Sequence, residues 1–440
     1  MAAGTVTDPA GSPGLRPVLA LWEVTAAGVA IIVGAGVYVI IGEAAGEAGA
    51  AVWLSFLVAG ALSGLTALSY AELASMFPRA GAAFEYTSRA FPPVVAFLAG
   101  WSMAVALVIA VAAVALGFGQ YFGEFVDVDA RIPAAALVLA SIASTAAGVK
   151  ESVRLGVALS VVEVGGLVFI AVVGAPSIGD VGLLEGATVG GVLSGAALVF
   201  FAYIGFEEVT TLAEETRDPS KTIPRALLLA LGISTVVYTL TAIAAVSVIG
   251  PAELVAAERP LAEVARTVFS DGAGAALAVV AMVATASTAL LALNSTSRIL
   301  FGMARAGAIP RSAAAVSART GVPIRAIVVS GVVGLVFVAS GDLGLVAGAT
   351  DALIYVVFVA VNLAAIVLRF RMPDAPRPFR APLSVGKLPV TPVLAIAVAL
   401  VFVGRLELVS MLIALGLAGA GLVLYTAYQR AGGGVAAAGS

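Results

Sequence analysis

The chain has 440 residues, 61% of them hydrophobic and 11% charged, with 23 Lys and Arg against 26 Asp and Glu. A mean hydropathy of +1.11 excludes a water-soluble domain with a polar exterior and places the chain in a bilayer. The absence of Cys and His excludes disulfides, thiol catalysis, haem ligation and most zinc sites, so proton chemistry falls to carboxylates, Lys or Tyr.

A helix of about 20 apolar residues crosses a hydrocarbon core of about 30 Å. Runs of that kind predict an all-α integral membrane protein with about twelve spans. They cover residues 22–42, 50–76, 94–122, 132–149, 155–175, 191–213, 225–249, 273–300, 324–340, 345–369, 389–404 and 406–428. Residues 1–20 form a short N-terminal segment without a cleavage site, so the first run is expected to be a retained helix, not a removed signal peptide. With that segment inside, 19 of the 23 Lys and Arg fall on the inner side and only Arg131, Arg259, Arg266 and Arg405 on the outer. The bias predicts a multi-pass protein of the cytoplasmic membrane with both termini, including a tail over 429–440, in the cytoplasm.

The first span, "AIIVGAGVYVII", is interrupted midway by Gly34, Ala35 and Gly36. Its second half then starts at Gly36 and aims free N–H groups into the membrane, where a carboxylate binds. Elsewhere, glycines at small-xxx-small spacing, such as Gly42 with Gly46 and Gly60 with Gly64, read as helix contacts. The stretch Phe77 to Pro93 mixes Arg79, Arg89 and Glu85 with Phe84 and Tyr86 and suits a short helix at the inner interface, as a connector or a gate. Span 5 holds one acid, Glu163, beside Gly165 and Gly166. A lone intramembrane carboxylate marks a functional-site candidate: it titrates, a cation sits against it, or a Ser or Thr of span 8, "VATASTALLALNSTSR", satisfies it.

Span 6, "VFFAYIGFEEVTTLAEET", repeats the defect of span 1 at Gly205. Entering from outside, its first half ends near Phe201, Ala202 and Ile204 and presents carbonyls to which an ammonium binds. Glu207 and Glu208 follow at the first turn of its second half, Glu208 as a carboxylate held by the helix N-terminus and Glu207 as either structural or proton-linked. Equivalent defects in the first helix of each half point to inverted repeats with discontinuous helices. The halves are 21–175 and 190–370, with two further helices over 388–428. An α-amino acid carries both complementary charges on one carbon and fits the two breaks. The segment Pro251 to Gly272 reads as an outer interfacial connector or gate.

The stretches "GAGVYVIIGEAAGEAGAA", "ALSYAELASMFPRAGAAFEYTSRAF", "FFAYIGFEEVTTLAEETRDPSKTIPRAL" and "NSTSRILFGMARAGAIP" together resemble permeases of the amino acid/polyamine/organocation (APC) superfamily. The resemblance implies the LeuT-like fold, with a five-plus-five inverted repeat, two extra helices and alternating access. It implies that Gly34, Ala35 and Gly36 receive the substrate carboxylate, that carbonyls at Ile32, Phe201 and Ile204 receive the amine, and that Phe201 closes an outer gate. Proton-coupled relatives place a Lys in helix 5 about thirteen residues after a "KES"-like start. Here "KES" is Lys150 to Ser152, and the matching position is Glu163. Glu163 then either carries the coupling proton or helps Ser287 or Thr288 hold Na⁺.

The expected function is therefore an H⁺-coupled amino acid importer, with a Na⁺-coupled symporter or an amino acid/polyamine exchanger as alternatives. No resident metal, cofactor or nucleic acid is expected, and the oligomer is a monomer or a homodimer. A sensor or channel on the same scaffold is a further class. A membrane enzyme is disfavoured by the missing His and Cys, and an ATP-driven pump by the absence of a GxxxxGK[ST] loop.

Overall fold

A computed structural model describes residues 18–78, 82–147, 153–310, 312, 315, 317 and 322–431. Arg79, the Lys150 to Ser152 stretch and most of the two terminal segments named above lie outside the described residues. The first expected span is two helices, α1 (Leu21–Ile32) and α2 (Gly36–Ala48), joined by a bend. There follow α3 (Val52–Met76), α4 (Ala82–Ala90), α5 (Pro93–Phe122), α6 (Arg131–Ala146) and α7 (Val153–Gly174). Residues 189–215 form α8 (Val189–Val199) and two 3₁₀ segments, Phe200–Tyr203 and Phe206–Glu215. Then come α9 (Pro219–Ala256), α10 (Pro260–Val268), α11 (Asp271–Arg305), α12 (Ile324–Val338), α13 (Leu343–Arg371), α14 (Val390–Val403) and α15 (Leu408–Arg430). A two-stranded ribbon, Ser384–Val385 with Leu388–Pro389, turns the chain between α13 and α14.

Among the described residues, eight helical stretches are long and apolar enough to cross a membrane, and α1, α6, α12 and α14 are shorter apolar helices. Large apolar side chains such as Val161, Val172, Val236, Val329 and Val336 stand exposed on helix faces, as lipid contact requires. The helices start where local chemistry satisfies their free amides. Side chains of Thr188, Ser270 and Asp342 accept from the amides of Gly191, Ala273 and Leu345 at 3.0, 3.2 and 2.9 Å. Pro93 opens α5, a position where its missing N–H costs nothing.

Helix α5 packs against α11 and α13, and α3 against α9. Of the small-residue pairs, Gly42 and Gly60 are close-contact positions: a Cβ on Gly42 would lie 3.1 Å from the Leu254 carbonyl, and one on Gly60 2.7 Å from the Thr235 side chain. Gly64 faces open space, so its pair has a single packing member. The expected inner connector is α4, where Glu85 and Arg89 pair and the Arg89 guanidinium lies over the Phe77 ring. Span 7 runs past its expected end at 249 to Ala256, through a break at Gly250 (φ 73°), and α10 then buries Leu261, Ala262, Val264 and Ala265. The outer connector is pinned by Arg266, which binds Glu124 and Glu263.

Candidate functional site

The two interrupted spans meet. Helix α1 ends at Ile32, residues 33–35 bend, and α2 begins at Gly36. A Cβ on Gly36 would collide with the Ala202 backbone, and one on Gly34 with the Thr288 hydroxyl. Glycine is needed at 36 because two backbones touch there. The second break has a different cause. Gly205 adopts φ 111°, a left-handed conformation that side chains resist, and it packs on Ile31 with a hypothetical Cβ 3.3 Å from that residue's carbonyl.

The free groups of the breaks fall as helix geometry dictates. Bonding of α2 starts with the Val39 amide donating to the Ala35 carbonyl at 3.1 Å, so the amides of Gly36, Val37 and Tyr38 precede the helical ladder. The Ala35 amide donates to Thr288 Oγ1 at 3.1 Å. On the carbonyl side, Tyr238 of α9 donates its hydroxyl to both Ile32 (2.7 Å) and Ala202 (3.0 Å), bridging the two spans. The Ile32 carbonyl also accepts from the Gly34 amide at 2.9 Å, and that of Phe201 from the Ile204 amide at a long 3.4 Å. Two of the oxygens in question are thus already engaged by one phenol, which sequence reasoning missed because a Tyr in an apolar span reads as core.

Glu163 joins the same cluster. Ser287 donates to its carboxylate at 2.8 Å, and the Tyr38 hydroxyl donates to its backbone carbonyl at 2.5 Å. Tyr121 in turn donates to the Tyr38 carbonyl at 2.9 Å. The neighbours Ser287 and Thr288 on α11 therefore tie Glu163 of α7 to the bend of span 1. The bond from Ser287 is the satisfied arrangement weighed for span 8.

Span 6 departs from expectation beyond Gly205. The segment Phe206–Glu215 is a 3₁₀ helix, not a second α-helical half. Glu207 folds back so that the Gly205 amide donates to its Oε2 at 3.1 Å, while its Oε1 has no hydrogen-bond partner among the described residues. Its side chain is fully buried. Glu208 is instead half-buried and faces Ser295 and Arg298 of α11, a cation partner in place of the expected helix terminus alone. Phe201 is buried beside the break, and its neighbour Phe200 stacks into an aromatic cluster with Tyr355 and Phe358 at 4.7 and 5.3 Å. Asp351 of α13 is fully buried next to this turn, a second residue the sequence reading passed over.

The structure thus brings Ile32, Gly34, Ala35, Gly36, Ala202, Gly205, Glu163, Ser287 and Thr288 into one connected cluster through the contacts given. Such a protein is a polytopic, all-helical membrane protein organised around two broken spans. The amino acid permease family model matches residues 19–416, and the chain belongs to that family, within the APC superfamily. It is 30% identical to the branched-chain amino acid permease BcaP of Bacillus subtilis (strain 168), over 96% of this chain and 94% of that protein. It is 28% identical to the methylthioribose transporter of the same organism, over 97% and 96%. It is 31% identical to the vacuolar cationic amino acid transporter 4 of Arabidopsis thaliana, over 80% of this chain but 63% of the longer relative. These relatives are named as permeases and transporters, and the chain is a transport protein, not an enzyme.

Proposed function

We propose that the protein is a secondary carrier that imports amino acids across the cytoplasmic membrane by alternating access, driven by H⁺. The observation that carries this reading is the contact of Gly36 with the Ala202 backbone, which brings the two broken spans together. A zwitterion bound there places its carboxylate at Gly34, Ala35 and Gly36, and its ammonium at the carbonyls of Ile32, Phe201, Ala202 and Ile204. The ammonium shares or displaces the Tyr238 hydroxyl. Phe201 is the outer gate. In this reading the chain makes twelve spans, with repeats over 21–175 and 190–370, extra helices over 388–428 and both termini in the cytoplasm.

Glu163 and Glu207 are the coupling carboxylates in this reading, and Ser287 and Thr288 connect Glu163 to the substrate. Glu163→Gln is expected to abolish accumulation driven by a proton gradient in liposomes while retaining exchange of labelled for unlabelled substrate. Unchanged accumulation by the variant would remove Glu163 from the mechanism. Na⁺ symport is the second reading, motivated by two oxygen-bearing side chains, Glu163 and Ser287, which meet in a 2.8 Å hydrogen bond that a hard cation would replace. Replacing Na⁺ by choline on both sides separates the two ions: H⁺ coupling survives the exchange and Na⁺ coupling does not.

A further inference from the structure

Asp351 lies about two turns along α13 from Leu343 and is 0% exposed, and among the described residues neither of its carboxyl oxygens has a well-formed hydrogen bond, the Phe201 backbone being only a weak donor towards it. Its nearest polar surroundings are the backbone of Phe201 and the phenol of Tyr355 one turn on. That phenol is already committed, donating to the Ala197 carbonyl at 3.0 Å. Among the described residues no cation pairs with the carboxyl from the packed elements, and the charges of α4, Glu85 and Arg89, pair with each other. Helices α5, α8 and α14 and the 200–203 turn carry no Lys, Arg, Asp or Glu. The nearest acid on α2 is Glu43, against Gly344 nearer the start of α13, with Glu407 beside it. On α3 it is Glu72, bound to Arg369 far along α13 in the other direction, and α15 bears only Arg430 at its distant end.

An ionised carboxylate enclosed by apolar helices, facing one backbone amide and a committed phenol with no cation among the described residues, is disfavoured against the neutral acid. The element that faces it is short and is held by two phenol bonds, Tyr238 to the Ala202 carbonyl at 3.0 Å and Tyr203 to that of Phe56 at 2.8 Å. Phe200–Tyr203 is a single 3₁₀ turn capped by a long 3.4 Å bond from the Ile204 amide to Phe201, and the next residue, Gly205, is left-handed, a natural hinge.

We propose that Asp351 is a proton-binding site, and that the 200–205 turn closes over it only when the carboxyl is protonated. The proton comes from water that reaches Asp351 while the turn is open, forms one O–H bond there, and returns to water when the turn swings away again. Closure of the gate segment is thereby made conditional on a proton, at a position distinct from Glu163. The consequence for transport rests on the carrier reading above, but the site itself does not, and it is tested without any substrate.

The experiment is pH-jump infrared difference spectroscopy on the full chain in lipid nanodiscs, with no ligand added. A protonated-carboxyl C=O band is expected to vanish in Asp351→Asn and in Asp351→Ser, and to persist in Glu163→Gln and Glu207→Gln. Amide hydrogen exchange of residues 200–205, taken as the ratio of wild type to Asp351→Asn at each pH, is expected to rise with pH by up to about tenfold per unit. Spectra of the Asp351 variants that superpose on wild type, or a pH-independent exchange ratio, would overturn the proposal. A titrating Asp351 band in a protein whose uptake ignores the proton gradient would sink H⁺-coupled import and leave this assignment standing.

Discussion

Glu72 and Asp351 are both carboxyls buried in the helical bundle, and their surroundings are opposite. Glu72, on α3, accepts from Arg369 Nε at 2.8 Å and Nη2 at 2.5 Å, from Arg377 Nε at 3.2 Å and from the Ala381 amide at 2.8 Å. Arg369 itself is closed off by Ser384 and the Ala381 carbonyl. Among the described residues Asp351 has no cation and no well-formed hydrogen bond, only the backbone of Phe201 as a weak donor. The first acid welds α3 to α13 and to the chain leading into the β ribbon, and its charge is fully compensated. The second leaves its region free to respond to a proton. Full satisfaction marks the scaffold and deficiency marks the moving part, in line with buried ion pairs being costly to break and unpaired acids in spans being functional.

The sharpest way to break this contrast is Glu72→Ala. It strands Arg369 and is expected to cost about 3–5 kcal/mol, read as a large fall in melting temperature in detergent. Gly36→Ala comes next: its new methyl must push the Ala202 backbone away, for about 1–3 kcal/mol of overpacking and loss of transport. Tyr238→Phe removes one hydroxyl shared by two carbonyls, and an expected stability loss of about 1 kcal/mol accompanies a changed apparent affinity for substrate. Asp351→Asn stands last, with an expected change in melting temperature near zero, because no partner is lost. A large destabilisation there would mean that Asp351 resembles Glu72 after all.

Much of this is legible in the sequence. The apolar runs located the helices because lipid forces backbone hydrogen bonding into continuous apolar segments. Gly34, Gly36 and Gly205 located both breaks, and the lone acid in span 5 located Glu163. What was hidden depends on packing between distant segments. The 3₁₀ form of Phe206–Glu215 has the composition of an ordinary helix, and its local sequence gives no reason for the tighter winding. Tyr238 carries no marker separating a bridging phenol from a core one. Asp351 did carry a signal, a single acid in "GATDALIYVV" of the same kind as Glu163, but only its empty surroundings distinguish it from an acid that has found a partner.

The two-pole recognition at the breaks is tested most directly by competition. Uptake of a labelled amino acid that the reconstituted protein accumulates is measured against the unlabelled parent, its N-acetyl derivative and its amide. Each derivative deletes one pole, and each charged hydrogen-bond set is worth about 1.5–3 kcal/mol, so both are expected to compete at least about tenfold less well. If either derivative competes as well as the parent, the corresponding break does not bind the substrate.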